Sequence, residues 1–175
     1  MKTIPILFST PMVEAFLNDT KTQTRRLNFE AEVGDILWVR ETFQLTTWEH
    51  PLNENYGYIY RASQNGRDWE ENNEGWTWKP SIFMPKEACR LFLEVTEKRA
   101  EPLQNITEAD AIAEGVAKFD DLEYINYLKP LQFTPTARAS FQSLWQKING
   151  TASWQANPEI KAYTFKRVDK PANFL

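Results

Sequence analysis

Strand-like runs and helical stripes occur along this chain without regular alternation, and that order restricts the fold more than any other feature. Runs with strand character fall at 4–8, 36–39, 56–62, 91–95 and 163–168, and an extended segment lies at 21–26. In 56–62, Tyr56, Tyr58 and Tyr60 share one face. Helical stripes sit between them unevenly. Thr10 and Pro11 open the first as N-cap and first helical position, with Val13, Phe16 and Leu17 on one face. Thr107 caps a second that stops at Gly115, with Asp110 in the capping-box position. Thr136 caps a third that stops at Gly150, with Phe141, Leu144, Trp145 and Ile148 forming its apolar stripe. A doubly wound sheet needs strands and helices in strict turn. About five or six strands and three or four helices in mixed order predict instead an α+β chain, a small curled mixed sheet or barrel with peripheral helices.

The chain has 175 residues without repeats, low-complexity tracts or linkers, so one domain spanning 1–175 is expected, with 169–175 as a frayed tail. A single cysteine, Cys89, excludes an internal disulfide, and a single histidine, His50, excludes a multi-histidine metal centre. With no leader-like segment in 1–11 and no apolar stretch near ~20 residues, the expected location is the cytoplasm, away from membranes. The net charge of −4 disfavours tight, sequence-blind binding to duplex nucleic acid, which relies on many phosphate contacts, but suits recognition of one base or nucleoside.

The motifs of P-loop enzymes, dinucleotide-binding folds, elbow-type serine hydrolases and zincins are all missing. His50 stands before Pro51 in a polar, loop-like stretch, and Cys89 opens a strand among apolar residues, where a packed, inert thiol is expected. Chemistry is left to lysine, threonine and carboxylates. Lys21 to Arg26 holds three basic residues in six, the densest positive site in the chain. A threonine hydroxyl needs a base to take its proton, and a lysine serves only if burial or a neighbouring cation lowers its pKa. Arg25 and Arg26 are such cations. The bland alternative for the same run is a solvated basic turn.

Five blocks in the same order carry a resemblance: 5–9 with the 21–26 run, 34–41, 80–85 and 141–158. Together they resemble phage and prophage proteins of the ASCH-domain family, within the PUA-like β-barrel superfamily, over about 4–168. The resemblance implies a mixed barrel with peripheral helices. The family includes an amidohydrolase acting on N4-acetylcytidine, whose lysine, threonine and glutamate are matched here by Lys21, Thr24 and Glu114, the last following the helix start Ile106-Thr107-Glu108. It implies Thr24 as nucleophile, Lys21 as proton acceptor and Glu114 as proton donor. Arg26 falls where that enzyme also has an arginine. Two inserts depart from it, between Glu41 and Pro80 and between Val116 and Thr136.

Glu114 stands at the negative end of its helix, where a carboxylate is costly unless paired or used. A plain Lys21–Glu114 ion pair is therefore the rival to a catalytic pair. From residue type alone, Trp38 or a loop tryptophan suits stacking on a base, and Arg26 or Arg40 suits a carbonyl or phosphate. The scheme calls for no metal and no cofactor. Three functions stay open. One is an amidohydrolase acting on an acylated pyrimidine nucleoside or base. Another is a non-catalytic module for RNA or a flipped, single-stranded or modified base. The third is a phage assembly protein using the tryptophan-rich insert (Trp48, Trp69, Trp76, Trp78) as an interface.

Overall fold

Ile36–Arg40 is buried along nearly its whole length, which fits a strand covered on both faces. The computed structural model describes residues 1–45, 57–63, 77–129 and 131–174. Expectations for Trp48, His50, Tyr56, Trp69 and Trp76 lie outside these. The strands are β1 (Thr3–Leu7), β2 (Gln23–Arg26), β3 (Ile36–Arg40), β4 (Phe43–Leu45), β5 (Tyr58–Tyr60), β6 (Phe92–Pro102), β7 (Tyr124–Ile125), β8 (Phe133–Thr134) and β9 (Glu159–Val168). The helices are α1 (Thr10–Leu17), α2 (Glu108–Ala113), α3 (Ala137–Asn149) and α4 (Thr151–Gln155). The class is α+β: a five-stranded mixed sheet in the order β1-β3-β6-β9-β2, with β4-β5 and β7-β8 as separate two-stranded ladders. β1 runs parallel to β3, while β3–β6 and β2–β9 are antiparallel. Pro5 stands in β1 at the end of the strand order, where a missing N–H is tolerated.

The chain divides into two compact units. The first holds Met1–Glu14, Gly34–Glu94 and Arg167–Leu175. Its core gathers Trp38, Phe43, Tyr60, Met84, Phe92 and Phe174. Here the expected frayed tail is corrected. Phe174 is 3% exposed and meets Phe92 edge-on at 4.8 Å and Trp38 at 5.7 Å, so an aromatic six residues beyond the last predicted strand residue anchors the end of the chain. The tyrosine face of β5 is only partly an inner face, since Ile59 between Tyr58 and Tyr60 is itself fully buried.

The second unit holds Ala15–Val33 and Val95–Lys166. Its core gathers Leu103, Ile106, Phe141, Trp145, Trp154 and Ile160. Phe141 and Trp145 face inward as their spacing predicts, but Ile148 is 59% exposed and the stripe ends before it. Thr136 accepts from Ala139 N at 3.1 Å, and Gly150 takes φ 83. After that glycine the chain re-enters a short helix, α4, which buries Trp154. α1 begins one residue earlier than expected: Val13 N donates to Ser9 O at 3.0 Å, which puts Ser9, not Thr10, at the cap.

Candidate active site

Three local structures deliver Lys21, Thr24, Arg26 and Glu114, all four inside the second unit. The first ends α1. Asp19 takes φ 56, and the N–H groups of Thr20 and Lys21 both donate to Ala15 O, at 2.9 and 3.1 Å. This closes the helix and turns Lys21 into the interior. The second is β2, whose lead-in is fixed by Thr22: its N–H donates to Ala113 O at 2.8 Å and its carbonyl accepts from Phe165 N at 3.0 Å. Within β2, Thr24 pairs with Tyr163 and Arg26 with Lys161. The third is α2. Thr107 and Asp110 form the expected capping box. Glu108 in its first turn accepts from Ala137 N and Arg138 N, the leading amides of α3, so a carboxylate satisfies two orphan donors of the next helix. At the far end Glu114 is the C-cap and Gly115 follows with φ 80. A Cβ at Gly115 would stand 2.8 Å from both Ala15 Cβ and Lys21 Cβ, so only glycine lets the two chain segments approach this closely.

The result is a buried ionic cluster. Lys21 is 1% exposed. Its ammonium donates to Gln23 O at 2.8 Å, Glu114 O at 2.8 Å and Glu114 Oε2 at 3.1 Å. Burial pulls the Lys21 pKa below its ordinary value; Glu114 opposes this, while Arg26 and Arg25 add to it by like-charge repulsion. Burial also pulls the Arg26 guanidinium down, against the attraction of Glu114. Thr24 is fully buried, and its hydroxyl has no hydrogen-bond partner among the described residues. The structure therefore joins Lys21 to Glu114 and sets Thr24 three residues along without hydrogen-bonding it to either.

The sequence marks Arg25 only as a cation near Lys21, and its carboxylate partners come from the structure. Its side chain is fully covered, with NH1 3.3 Å from Glu114 Oε1 and NH2 2.9 Å from Glu101 Oε1 and 3.3 Å from Asp110 Oδ2. Arg99 holds the other oxygen of Asp110 at 3.1 Å. Burial alone would raise the Asp110 pKa, but the Thr107 hydrogen bonds, Arg25 and Arg99 outweigh it and hold the carboxyl below its ordinary value. Two arginines thus alternate with three carboxylates, a pattern that compensates charge where water is excluded.

Trp38 and Arg40 belong to the first unit. Trp38 is 6% exposed in that unit's core. The Arg40 guanidinium lies 5.5 Å from the Trp38 ring centre and donates to the carbonyls of Met84 and Ile82, which pins the 3-10 turn Ser81–Phe83. Cys89 is a packed thiol, as expected: it donates to Leu91 O at 3.4 Å, and burial pushes its pKa up to about 12. The first unit also holds an open cavity of about 650 Å³ lined by Ser9, Thr10, Thr42 and Ser81 together with Glu14 and Arg61.

A lysine with a lowered pKa beside a carboxylate can exchange a proton with it. A buried hydroxyl without a partner forfeits a hydrogen bond it had in water, a cost of about 1–3 kcal/mol that stability alone does not explain. No protein-family model matches this chain, and comparison with curated proteins and with solved structures finds no match either.

Proposed function

We propose that this chain is an ASCH-type protein of the PUA-like class, and that its second unit hydrolyses the amide of an acylated exocyclic amine on a pyrimidine nucleoside or base. The mixed five-stranded sheet with its peripheral helices supports the fold part of this reading. The observation that carries the functional part is a desolvated Lys21 hydrogen-bonded to Glu114, followed three residues on by a buried Thr24 whose hydroxyl has no partner among the described residues.

In the resting chain the pair is Lys21 ammonium and Glu114 carboxylate. For attack, one proton passes from Lys21 Nζ to Glu114 Oε2 along their hydrogen bond, leaving an amine and a carboxylic acid. Thr24 Oγ1 then adds to the acyl carbon as its proton moves to Lys21 Nζ. Collapse of the tetrahedral adduct breaks the C–N bond, and Glu114 gives its proton to the departing amine. These transfers regenerate the ammonium–carboxylate pair beside an acyl-threonine, which water then hydrolyses. Because Lys21 and Thr24 are covered at rest, substrate reaches them only through local opening.

The second reading is a module that binds an RNA segment or a modified base without chemistry. It is favoured by the open cavity of the first unit, whose lining residues do not include Lys21, Thr24 or Glu114. Incubation with N4-acetylcytidine, following release of cytidine, separates the two. Turnover by the parent chain that is lost in folded Thr24→Val and Glu114→Gln variants supports the hydrolase. No turnover, with salt-sensitive binding of single-stranded RNA, supports the module.

A further inference from the structure

Glu114 offers two carboxylate oxygens, and each is engaged by a different cation. Lys21 holds Oε2 at 3.1 Å and Arg25 holds Oε1 at 3.3 Å. The two cations are not equivalent. Arginine does not lose its proton in proteins, whereas a buried lysine does so readily. Arg25 is also immobilised from its other side, with NH2 on both Glu101 and Asp110. Its side chain has no solvent exposure, so it does not reach a ligand from solvent in the resting chain.

We propose that Arg25 is a positioning residue: by occupying Glu114 Oε1 it limits Lys21 to the single oxygen Oε2 and thereby sets how firmly Lys21 keeps its proton. This deepens the hydrolase reading and rests on it for its catalytic consequence. Arg25 acts in two ways that have the same sign. It repels the Lys21 ammonium directly, and it draws off part of the carboxylate charge that would otherwise stabilise that ammonium. The charged groups of the cluster are Arg25 and Arg26 from β2, Arg99 and Glu101 from β6, and Asp110 and Glu114 from α2 and its cap. Of these, Arg25 contacts Glu101, Asp110 and Glu114 together. The capping box of α2 holds Asp110, so the register of that helix is transmitted to Lys21 through one guanidinium.

The test follows the Lys21 side-chain nitrogen by NMR titration in the full chain carrying isotope-labelled lysine, beside the pH–rate profile on N4-acetylcytidine. In Arg25→Gln the Lys21 midpoint moves up, and the rising limb of the rate profile moves up with it, so the rate at a pH on that limb falls several-fold. Arg25→Lys, which keeps the charge, returns both toward the parent. A merely structural arginine would lower the melting temperature and leave the midpoint in place, and an unmoved midpoint in folded Arg25→Gln overturns the proposal. If Arg25→Gln does not fold, Glu101→Gln serves. It removes an anion from Arg25, strengthens its hold on Glu114 and moves the Lys21 midpoint down, and an unchanged midpoint there overturns the proposal equally. A parent chain that releases no cytidine yet shows these midpoint shifts removes the hydrolase reading and leaves the role of Arg25 standing.

Discussion

Lys21 grips Glu114 through both main chain and side chain. The two residues form an isolated antiparallel backbone bridge, and the Lys21 ammonium donates to both the Glu114 carbonyl at 2.8 Å and its carboxylate at 3.1 Å. They are 93 residues apart in sequence, so this contact fixes the end of α2 against the start of β2. Sequence reasoning places a carboxylate at the wrong end of a helix dipole and asks what compensates it. The answer is two cations, Arg25 and a Lys21 whose pKa burial lowers.

Lys21→Met removes one cation from the buried Glu114 carboxylate and leaves it to Arg25, with the charge of Arg26 nearby. Breaking a buried pair from one side costs about 3–5 kcal/mol, and the remaining guanidinium puts this change near about 3 kcal/mol. Urea unfolding measures it. In the cycle that adds Glu114→Leu, the double change costs less than the two single changes summed, because the lost partner no longer matters once both charges are gone.

Gly115→Ala combines two penalties. The backbone has φ 80, which costs a side-chain-bearing residue about 1–2 kcal/mol, and the added methyl meets Ala15 Cβ and Lys21 Cβ at 2.8 Å, an overpacking of about 1–3 kcal/mol. The expected loss is therefore at least about 2 kcal/mol by chemical denaturation. It is accompanied by an altered Lys21 side-chain resonance, because the clash lands on that residue. A loss without any change at Lys21 would show that strain at φ is the whole effect.

What the sequence made legible follows from local rules. The Thr107 cap, the Thr136 cap, the stops at Gly115 and Gly150 and the edge proline in β1 each need only a few neighbouring residues. The Lys21–Glu114 pairing was legible for the same reason, as an uncompensated end charge. Arg25 was legible as a cation beside Lys21 but its partners were not, because Glu101 and Glu114 lie 76 and 89 residues away and nothing local marks them as neighbours. The second half of β6 lies beyond the predicted 91–95 run because its charged residues break the apolar alternation, and ion pairs engage them in the fold. Trp38 reads as a stacking surface by residue type, whereas Phe174 from the far end of the chain covers it.

Cys89 gives a pH signature of opposite sign to the Lys21 one. Its folded pKa of about 12 stands above the ordinary 9.0, because burial disfavours the thiolate. The unfolded thiol ionises first, so the folded state holds the extra proton between these values and stability falls as pH rises through that window. For Lys21 the folded pKa is lowered, the unfolded chain holds the extra proton, and stability rises with pH up to its ordinary 10.5. Subtracting the unfolding free energy of Cys89→Ala from that of the parent cancels Lys21. The difference declines by about 1.4 kcal/mol per pH unit above pH 9. A flat difference there would mean the thiol ionises alike in both states.

Thr24→Val separates stability from chemistry. The two side chains have nearly the same shape, and Thr24 is fully buried with its hydroxyl lacking a partner among the described residues. Removing that hydroxyl removes an unsatisfied polar group, so the variant is expected to be as stable as the parent or more stable, by up to about 1 kcal/mol. Most polar-to-apolar changes at a hydrogen-bonded core position do the reverse. If Thr24 is the nucleophile, the same variant loses turnover of N4-acetylcytidine while keeping the Lys21–Glu114 pair intact, because neither residue bonds the hydroxyl. Urea unfolding and cytidine release, measured on one preparation, read both quantities. A destabilised variant would assign Thr24 a structural hydrogen bond. A stable variant with full turnover would exclude Thr24 from the reaction and leave the cluster to a role in folding.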